Sequence, residues 1–146
     1  MATGREQTID TEDPLAREAV AAIHAGDVDA MRRLLQEQPG LGTARLGNPS
    51  RGCDPGMTRS LLHVLTDWPG HYPNGPAMVA LLVEAGADVN ARFTGPHTET
   101  PLHWAASSND VDVLDALLDA ARRSHADDVA SWLQGRGGKS ASEATT

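Results

Sequence analysis

Six histidines and a single cysteine are the side chains in this chain of 146 residues that most readily suggest metal binding or catalysis. No two histidines have the i, i+4 spacing that places two zinc ligands on one helix face. Cys53 lies in a Pro/Gly-rich stretch, and the sequence identifies neither a base nor an orienting group that would activate its thiol. An enzyme, metal-dependent or cysteine-based, therefore stays an alternative built on loop residues. These residues are His71, Tyr72, His97 and Cys53.

Four aspartates fall within ten positions in the C-terminal third of the chain. They are Asp110, Asp112, Asp115 and Asp119. A calcium site would need them in a tight loop, and residues of a helix do not provide one. The spacing favours a solvated outer helix face with acids near the helix N-terminus, where the helix dipole favours them. The alternative is an electrostatic strip that docks a basic partner.

Composition restricts the class of protein. A net charge of −8 and an isoelectric point near 5.0 argue against nucleic acid or an anionic membrane as the main partner. Alanine and leucine outnumber valine and isoleucine, and aromatic residues make up only 3% of the chain, which favours helices over a large β core. Neither a signal peptide nor a membrane-spanning apolar run is found. We expect a soluble cytoplasmic protein without a bound metal or cofactor.

Three segments of the chain share one residue pattern. The clearest copy begins Thr100-Pro101-Leu102-His103-Trp104-Ala105, a second contains His63 and ends Gly86-Ala87-Asp88, and a degenerate copy lies around residues 19–35. This pattern resembles the ankyrin repeat, whose signature is T-P-L-H-x-A and whose period is 33 residues. The resemblance covers about residues 14–121. Its signature residues are His63, Gly86, Thr100, Pro101, Leu102 and His103.

The resemblance implies an all-α fold, a helical solenoid of helix–turn–helix units joined by hairpin or loop connections. It places repeats at about 14–45, 58–92 and 98–121. It also implies that the signature histidines bond the start of a helix to the neighbouring turn. Local signals agree, since Thr100 can cap a helix that begins at Pro101, and Gly86 suits a left-handed helix end.

Spacing locates insertions in the repeat pattern. His63 and His103 lie 40 residues apart, seven more than one ankyrin period. Five of the extra residues fall in Trp68–Pro76 and two in Phe93–Glu99, and about ten more fall in Leu41–Ser60. The first insertion contains Trp68 and Tyr72 among prolines and glycines. Either Trp68 folds back over the helix ends, or it is exposed for binding.

Ankyrin proteins usually bind partners through the hairpin tips and the exposed side of the first helices. We therefore expect a non-enzymatic protein–protein interaction module that binds another protein, in the sharper form of the hypothesis a basic one, and is a monomer on its own. Phe93 is the favoured anchor, and Arg45 and Arg51 would extend the surface. The predicted partner-binding residues are Asp67, Trp68, Arg92, Phe93, Thr94, His97, Glu99, Ser107 and Ser108.

Both ends of the chain depart from the repeat pattern. Residues 1–13 are acidic with little apolar content and predict a flexible arm. Residues 122–146 carry no further repeat and predict an extension, with a capping helix over 124–134 and then a disordered tail. The alternative for this abrupt loss of the pattern is a truncated or frame-altered member of a longer ankyrin family.

Overall fold

The structure is a computed structural model that describes residues 7–47 and 57–123. Its helices and strands are β1 Thr8–Asp10, α1 Pro14–Ala25, α2 Val28–Glu37, a 3-10 helix Pro39–Thr43, β2 Arg45–Gly47, β3 Thr58–Ser60, α3 Leu61–Thr66, α4 Gly75–Glu84, α5 Pro101–Ser107 and α6 Val111–Arg123. Arg51, Cys53 and the capping helix predicted over 124–134 lie outside the described residues. The predicted array ends at residue 121, and α6 is described as far as Arg123.

The six α-helices form three consecutive pairs that pack in two layers. Helices α1, α3 and α5 contact one another in sequence order, and α2, α4 and α6 form the second layer against them. The core between the layers is aliphatic, with Leu62, Leu82 and Leu117 all at 0% exposure. Every residue of the six-residue α3 is buried. Because so short a helix is unstable in water, α3 depends on this packing for its structure.

Helix ends follow the signals in the sequence. Pro101 is the first residue of α5 and follows Thr100 at the N-cap. Gly86, just beyond α4, has a φ of 103°, a backbone conformation that L side chains rarely adopt. The side chains of Asp13 and Asp27 accept hydrogen bonds from backbone N–H groups at the starts of α1 and α2, at 2.9 and 3.0 Å.

The prediction of an all-α fold is wrong in one respect, because the chain also forms a three-stranded sheet. Helices account for 58% of the described residues. Strand β2 pairs in parallel with β1, opposing Leu46 to Ile9, and antiparallel with β3, opposing Leu46 to Arg59. Both β2 and β3 lie in the insertion Leu41–Ser60. Each strand has only three residues, too few for an alternating pattern to show in the sequence.

Residues 7–13, which the sequence assigns to a flexible arm, contain a strand and a helix cap in the structure. Ile9 lies in β1 at 7% exposure and joins the core cluster that contains Leu46. Asp13 caps α1. Acidic composition suggested a solvated segment, but Ile9 is buried and β1 pairs with the edge of β2. Residues 1–6 lie outside the described part.

Replacing Ile9 tests whether β1 contributes to stability. The variant Ile9→Ala removes a buried aliphatic group, so we expect the free energy of unfolding in urea to fall by about 2 kcal/mol. The control Gln7→Ala changes an exposed neighbour and should stay within about 0.5 kcal/mol of the native protein. Equal stability of Ile9→Ala and Gln7→Ala would show that β1 is dispensable.

Candidate protein-binding surface

The predicted partner-binding residues lie at two ends of the helix pairs rather than on one surface. Those in the loop before α5 form a hairpin group, and those beside the connections α3–α4 and α5–α6 form a turn group. Helix α5 runs from the hairpin group to the turn group, and its 7 residues at a rise of 1.5 Å each give a length of about 10 Å. The hairpin group is Arg92, Phe93, Thr94, His97 and Glu99, and the turn group is Asp67, Trp68, Ser107 and Ser108.

Backbone hydrogen bonds hold the hairpin group in place. Thr94 and Thr58 exchange N–H to carbonyl bonds of 2.9 and 3.0 Å, which attach the hairpin to β3. The N–H of Phe93 donates to the carbonyl of Glu99 at 2.9 Å and closes the loop. The side chains of Arg92, Thr94 and His97 are exposed. Nδ1 of His97 lies 3.8 Å from a carboxylate oxygen of Glu99.

His63 connects the second helix pair to this hairpin. Its side chain is fully buried at the start of α3. Nδ1 accepts from the backbone N–H of Ser60 at 3.2 Å and lies 2.8 Å from the Ser60 hydroxyl. Nε2 lies 2.9 Å from the carbonyl oxygen of Glu99, which can only accept, so Nε2 carries the proton. His63 thus makes the bond to a neighbouring turn that the family resemblance implies.

The surroundings of His63 keep it neutral. Burial lowers its pKa to about 4, and the positive charges of Arg45 and Arg59 act in the same direction. The hydrogen bond to Glu99 opposes this effect but does not outweigh it. His103 repeats the local part of the arrangement, since its Nδ1 accepts from the Thr100 N–H at 3.1 Å, but its side chain is exposed.

Phe93 is not the freely exposed anchor that the sequence predicts. Its ring is half-buried, with its centroid 5.4 Å from that of Trp104 and 6.4 Å from that of His63. The ring of Trp104 lies in turn 4.8 Å from His63, edge to face. Phe93 therefore packs the hairpin against α5, which leaves the polar side chains around it as the accessible part of the loop.

Arg45 likewise does not extend the surface. It is 7% exposed, and its guanidinium donates to the Thr58 hydroxyl at 2.7 Å and to the carbonyl of Arg92. It also lies 3.4 Å from the Thr94 hydroxyl. Arg45 thus connects β2, β3 and the hairpin. The sequence prediction failed because loop composition does not reveal that this loop folds into a sheet.

At the other end, residues 67–74 form an insertion loop that contacts the helix pairs on both sides. Towards the first pair, the Asn74 side-chain amide donates to the Gly26 carbonyl at 2.8 Å, and Tyr72 stacks on His24 with ring centroids 4.6 Å apart. Towards the third pair, the His71 backbone N–H donates to a carboxylate oxygen of Asp110 at 2.8 Å. The loop therefore joins all three α–α connections.

The insertion loop packs closely against the α1–α2 connection, and two of its residues have a left-handed backbone conformation. A Cβ on Gly26 would lie 2.3 Å from the carbonyl oxygen of Pro73, so only glycine fits there. His71 and Asn74 have φ values of 59° and 57°. Such left-handed residues cost of order 1 kcal/mol each and persist where the surroundings fix them. The second contact of His71, from Nε2–H to the Ser108 carbonyl at 2.9 Å, helps to do so.

Asp110 departs from the solvated outer face that the sequence predicts. It is 4% exposed and bonded to the insertion loop, whereas Asp112, Asp115 and Asp119 are exposed. The bond to His71 spans 39 residues of sequence. The position of Asp110 just before α6 is a local signal for helix capping. No local signal in the sequence indicates that its carboxylate binds His71.

Trp68 does not fold back over the helix ends. Its exposure is 81%, and the other exposed large hydrophobic residue of the described part is Val111 at 53%. Asp67 beside it pairs with Arg59 at 2.7 Å. Ser107 is exposed, and the Ser108 hydroxyl donates to the Thr66 carbonyl at 3.3 Å.

The described residues of the enzyme alternative lie at two different ends of the helices. His71 and Tyr72 lie in the insertion loop and His97 in the hairpin, at the other end of the helices, and Cys53 lies outside the described residues. Within residues 7–47 and 57–123, no group of three His, Cys, Asp or Glu side chains is placed to hold a metal ion. In the same ranges, no helix is both long and apolar enough to span a membrane.

Residues 71–118 match the family model of ankyrin repeats in many copies. The match runs from the insertion loop through α4, the hairpin and α5 to most of α6. This confirms the ankyrin resemblance for that segment and is consistent with a short ankyrin-repeat array. Ankyrin repeats generally mediate protein–protein interactions. No curated protein matches the chain.

The pKa of His63 predicts a dependence of stability on pH. The folded value of about 4 lies below the ordinary value of 6.5, so the unfolded chain takes up the proton first as pH falls. Stability from this group is complete above pH 6.5 and is lost as pH falls towards 4, by up to about 1.4 kcal/mol per pH unit. Urea unfolding at several pH values measures it.

The variant His63→Gln should be less stable at neutral pH and should lose part of this pH dependence. His103→Gln is the matched control, because it changes the equivalent but exposed histidine. An unchanged slope of stability against pH in His63→Gln would contradict the assignment.

Proposed function

We propose that the protein is a non-enzymatic interaction module that binds another protein through its hairpin group and the adjoining helix surface. The observation that carries this proposal is a polar hairpin on a fixed backbone. Arg92, Thr94 and His97 project from a loop anchored through Thr94 to β3 and through Glu99 to the buried His63. The proposed partner is a protein rather than nucleic acid, and the proposed location is the cytoplasm.

A fixed hairpin suits binding for a thermodynamic reason. A loop that is already ordered loses little conformational entropy on association, so more of the contact energy appears as affinity. Here the anchoring bonds are made by backbone groups and by His63, and the exposed side chains are left for a partner. The family match includes this hairpin.

The proposal extends to the architecture of the array. The three helix pairs correspond to three ankyrin units at about 14–45, 58–92 and 98–121, stacked as a short solenoid. Support comes from the contacts of α1 with α3 and of α3 with α5, repeated in the outer layer by α2, α4 and α6. The chain on its own is proposed to be a monomer.

Site-specific photo-crosslinking tests the proposed function. A benzophenone amino acid replaces His97 in the hairpin or, as the control, Gln36 on the exposed face of α2. After irradiation in the cells that naturally make the protein, we expect a crosslinked product of discrete mass from position 97 but not from position 36. Adding the unlabelled chain should compete the product away, and a chain with Arg92→Ala and Thr94→Ala should compete poorly.

Equal crosslinking from positions 97 and 36, or none from either, would contradict a binding role for the hairpin. So would equal competition by the native chain and the double variant.

A further inference from the structure

A second surface lies at the opposite end of the helices from the hairpin. Trp68 and Val111, the exposed large hydrophobic residues of the described part, lie in sequence within two residues of the contact between the insertion loop and the α5–α6 connection. Trp68 lies two residues before Gly70, whose Cβ position is 3.2 Å from the Ser108 side chain. Val111 follows Asp110 directly. We call Trp68, Pro69, Val111, Asp112 and Asp115 the turn-side patch.

The backbone beneath the turn-side patch is fixed. The N–H of Gly70 donates to the Asp67 carbonyl at 2.7 Å, and the next N–H, of His71, donates to the buried Asp110 carboxylate. A tryptophan exposed on a fixed support has the large contact area and low ordering cost of a binding hot spot. Trp68 is 81% exposed, and tryptophan is among the residue types enriched in binding hot spots.

The exposed charged residues of α6 next to the turn-side patch are acidic. Val111, Asp115 and Asp119 recur every four residues and share a face of α6, with Asp112 beside them. All three aspartates are exposed, and the first basic residue of α6 is Arg122. Nearer Trp68, Arg59 is already bonded to Asp67, and His71 to Ser108. Exposed Ser107 and Asn109 beside the patch are neutral, so the exposed charges of the turn-side patch are acidic.

From this arrangement we infer that the turn-side patch docks a cationic, amphipathic segment of a partner protein. Apolar side chains of that segment pack on Trp68 and Val111, and its lysines or arginines lie opposite Asp112 and Asp115. Nucleic acids and anionic membranes are repelled by the same acids. This surface adds to the hairpin group of the proposed function and stands even if the hairpin binds nothing.

Calorimetric titration of the full chain with synthetic peptides tests the inference. One peptide of about 14 residues carries leucine and lysine in a helical amphipathic pattern, a second replaces each leucine by serine, and a third replaces each lysine by glutamate. We expect the first peptide to bind and the other two to bind at least tenfold more weakly or not at all. Binding should weaken markedly between about 0.1 and 1 M salt, as the screening length falls from about 10 to 3 Å.

Variants locate the binding on the patch. Trp68→Ala should lower the affinity for the first peptide at least tenfold. It should leave the midpoint of thermal unfolding of the protein unchanged, since the side chain is exposed. Asp112→Asn combined with Asp115→Asn should weaken it severalfold and reduce the salt dependence. The matched control is Glu18→Gln combined with Glu37→Gln, which removes two exposed acids from α1 and α2 and should leave the affinity unchanged.

Four outcomes would overturn the inference. In the first, Trp68→Ala binds the first peptide with the affinity of the native chain, and in the second, the Glu18/Glu37 control variant weakens binding as much as the Asp112/Asp115 variant. In the third, the glutamate peptide binds as tightly as the first peptide. Finally, the chain forms a dimer that Trp68→Ala abolishes. The last outcome would show that a second copy occupies the patch. None of these outcomes affects the crosslinking result at position 97, so the two proposals fail separately.

Discussion

The bond between the His71 backbone N–H and the buried carboxylate of Asp110 is the contact on which the turn end of the molecule depends. It seats the insertion loop on the third helix pair, while Asn74 attaches the same loop to Gly26 of the first pair. Helix α3 is too short to be stable alone and leads directly into this loop. These two bonds fix the loop that carries Trp68 at the end of α3, which itself is buried between its neighbours.

The hairpin end is organised around a different group. His63 is buried and neutral, and its two ring nitrogens join Ser60 at the start of α3 to Glu99 in the hairpin. Arg45 adds a second connection by bonding to residues of β3 and of the hairpin. Because the two ends are fixed by separate sets of bonds, the molecule carries two surfaces, one polar and one aromatic with an acidic border.

Local signals in the sequence identified the parts of the fold that local interactions determine. The string Thr100–Ala105 and the glycine after α4 indicated helix boundaries, and the spacing of His63 and Gly86 located the insertion between α3 and α4. Contacts between distant residues had no such signal. The burial of Asp110 and Arg45, the pairing of β1 with β2 and the exposure of Trp68 each depend on where a loop folds back. For the same reason, the predicted single binding surface divides into two ends.

Amide hydrogen exchange measured residue by residue by NMR tests the central claim most directly. If the insertion loop joins the three helix pairs into one cooperative unit, the amide of His71 should exchange as slowly as core amides of α3, such as that of Leu65, and with the same dependence on denaturant. Exchange of His71 at the rate of an unprotected amide, with the core still protected, would contradict the account.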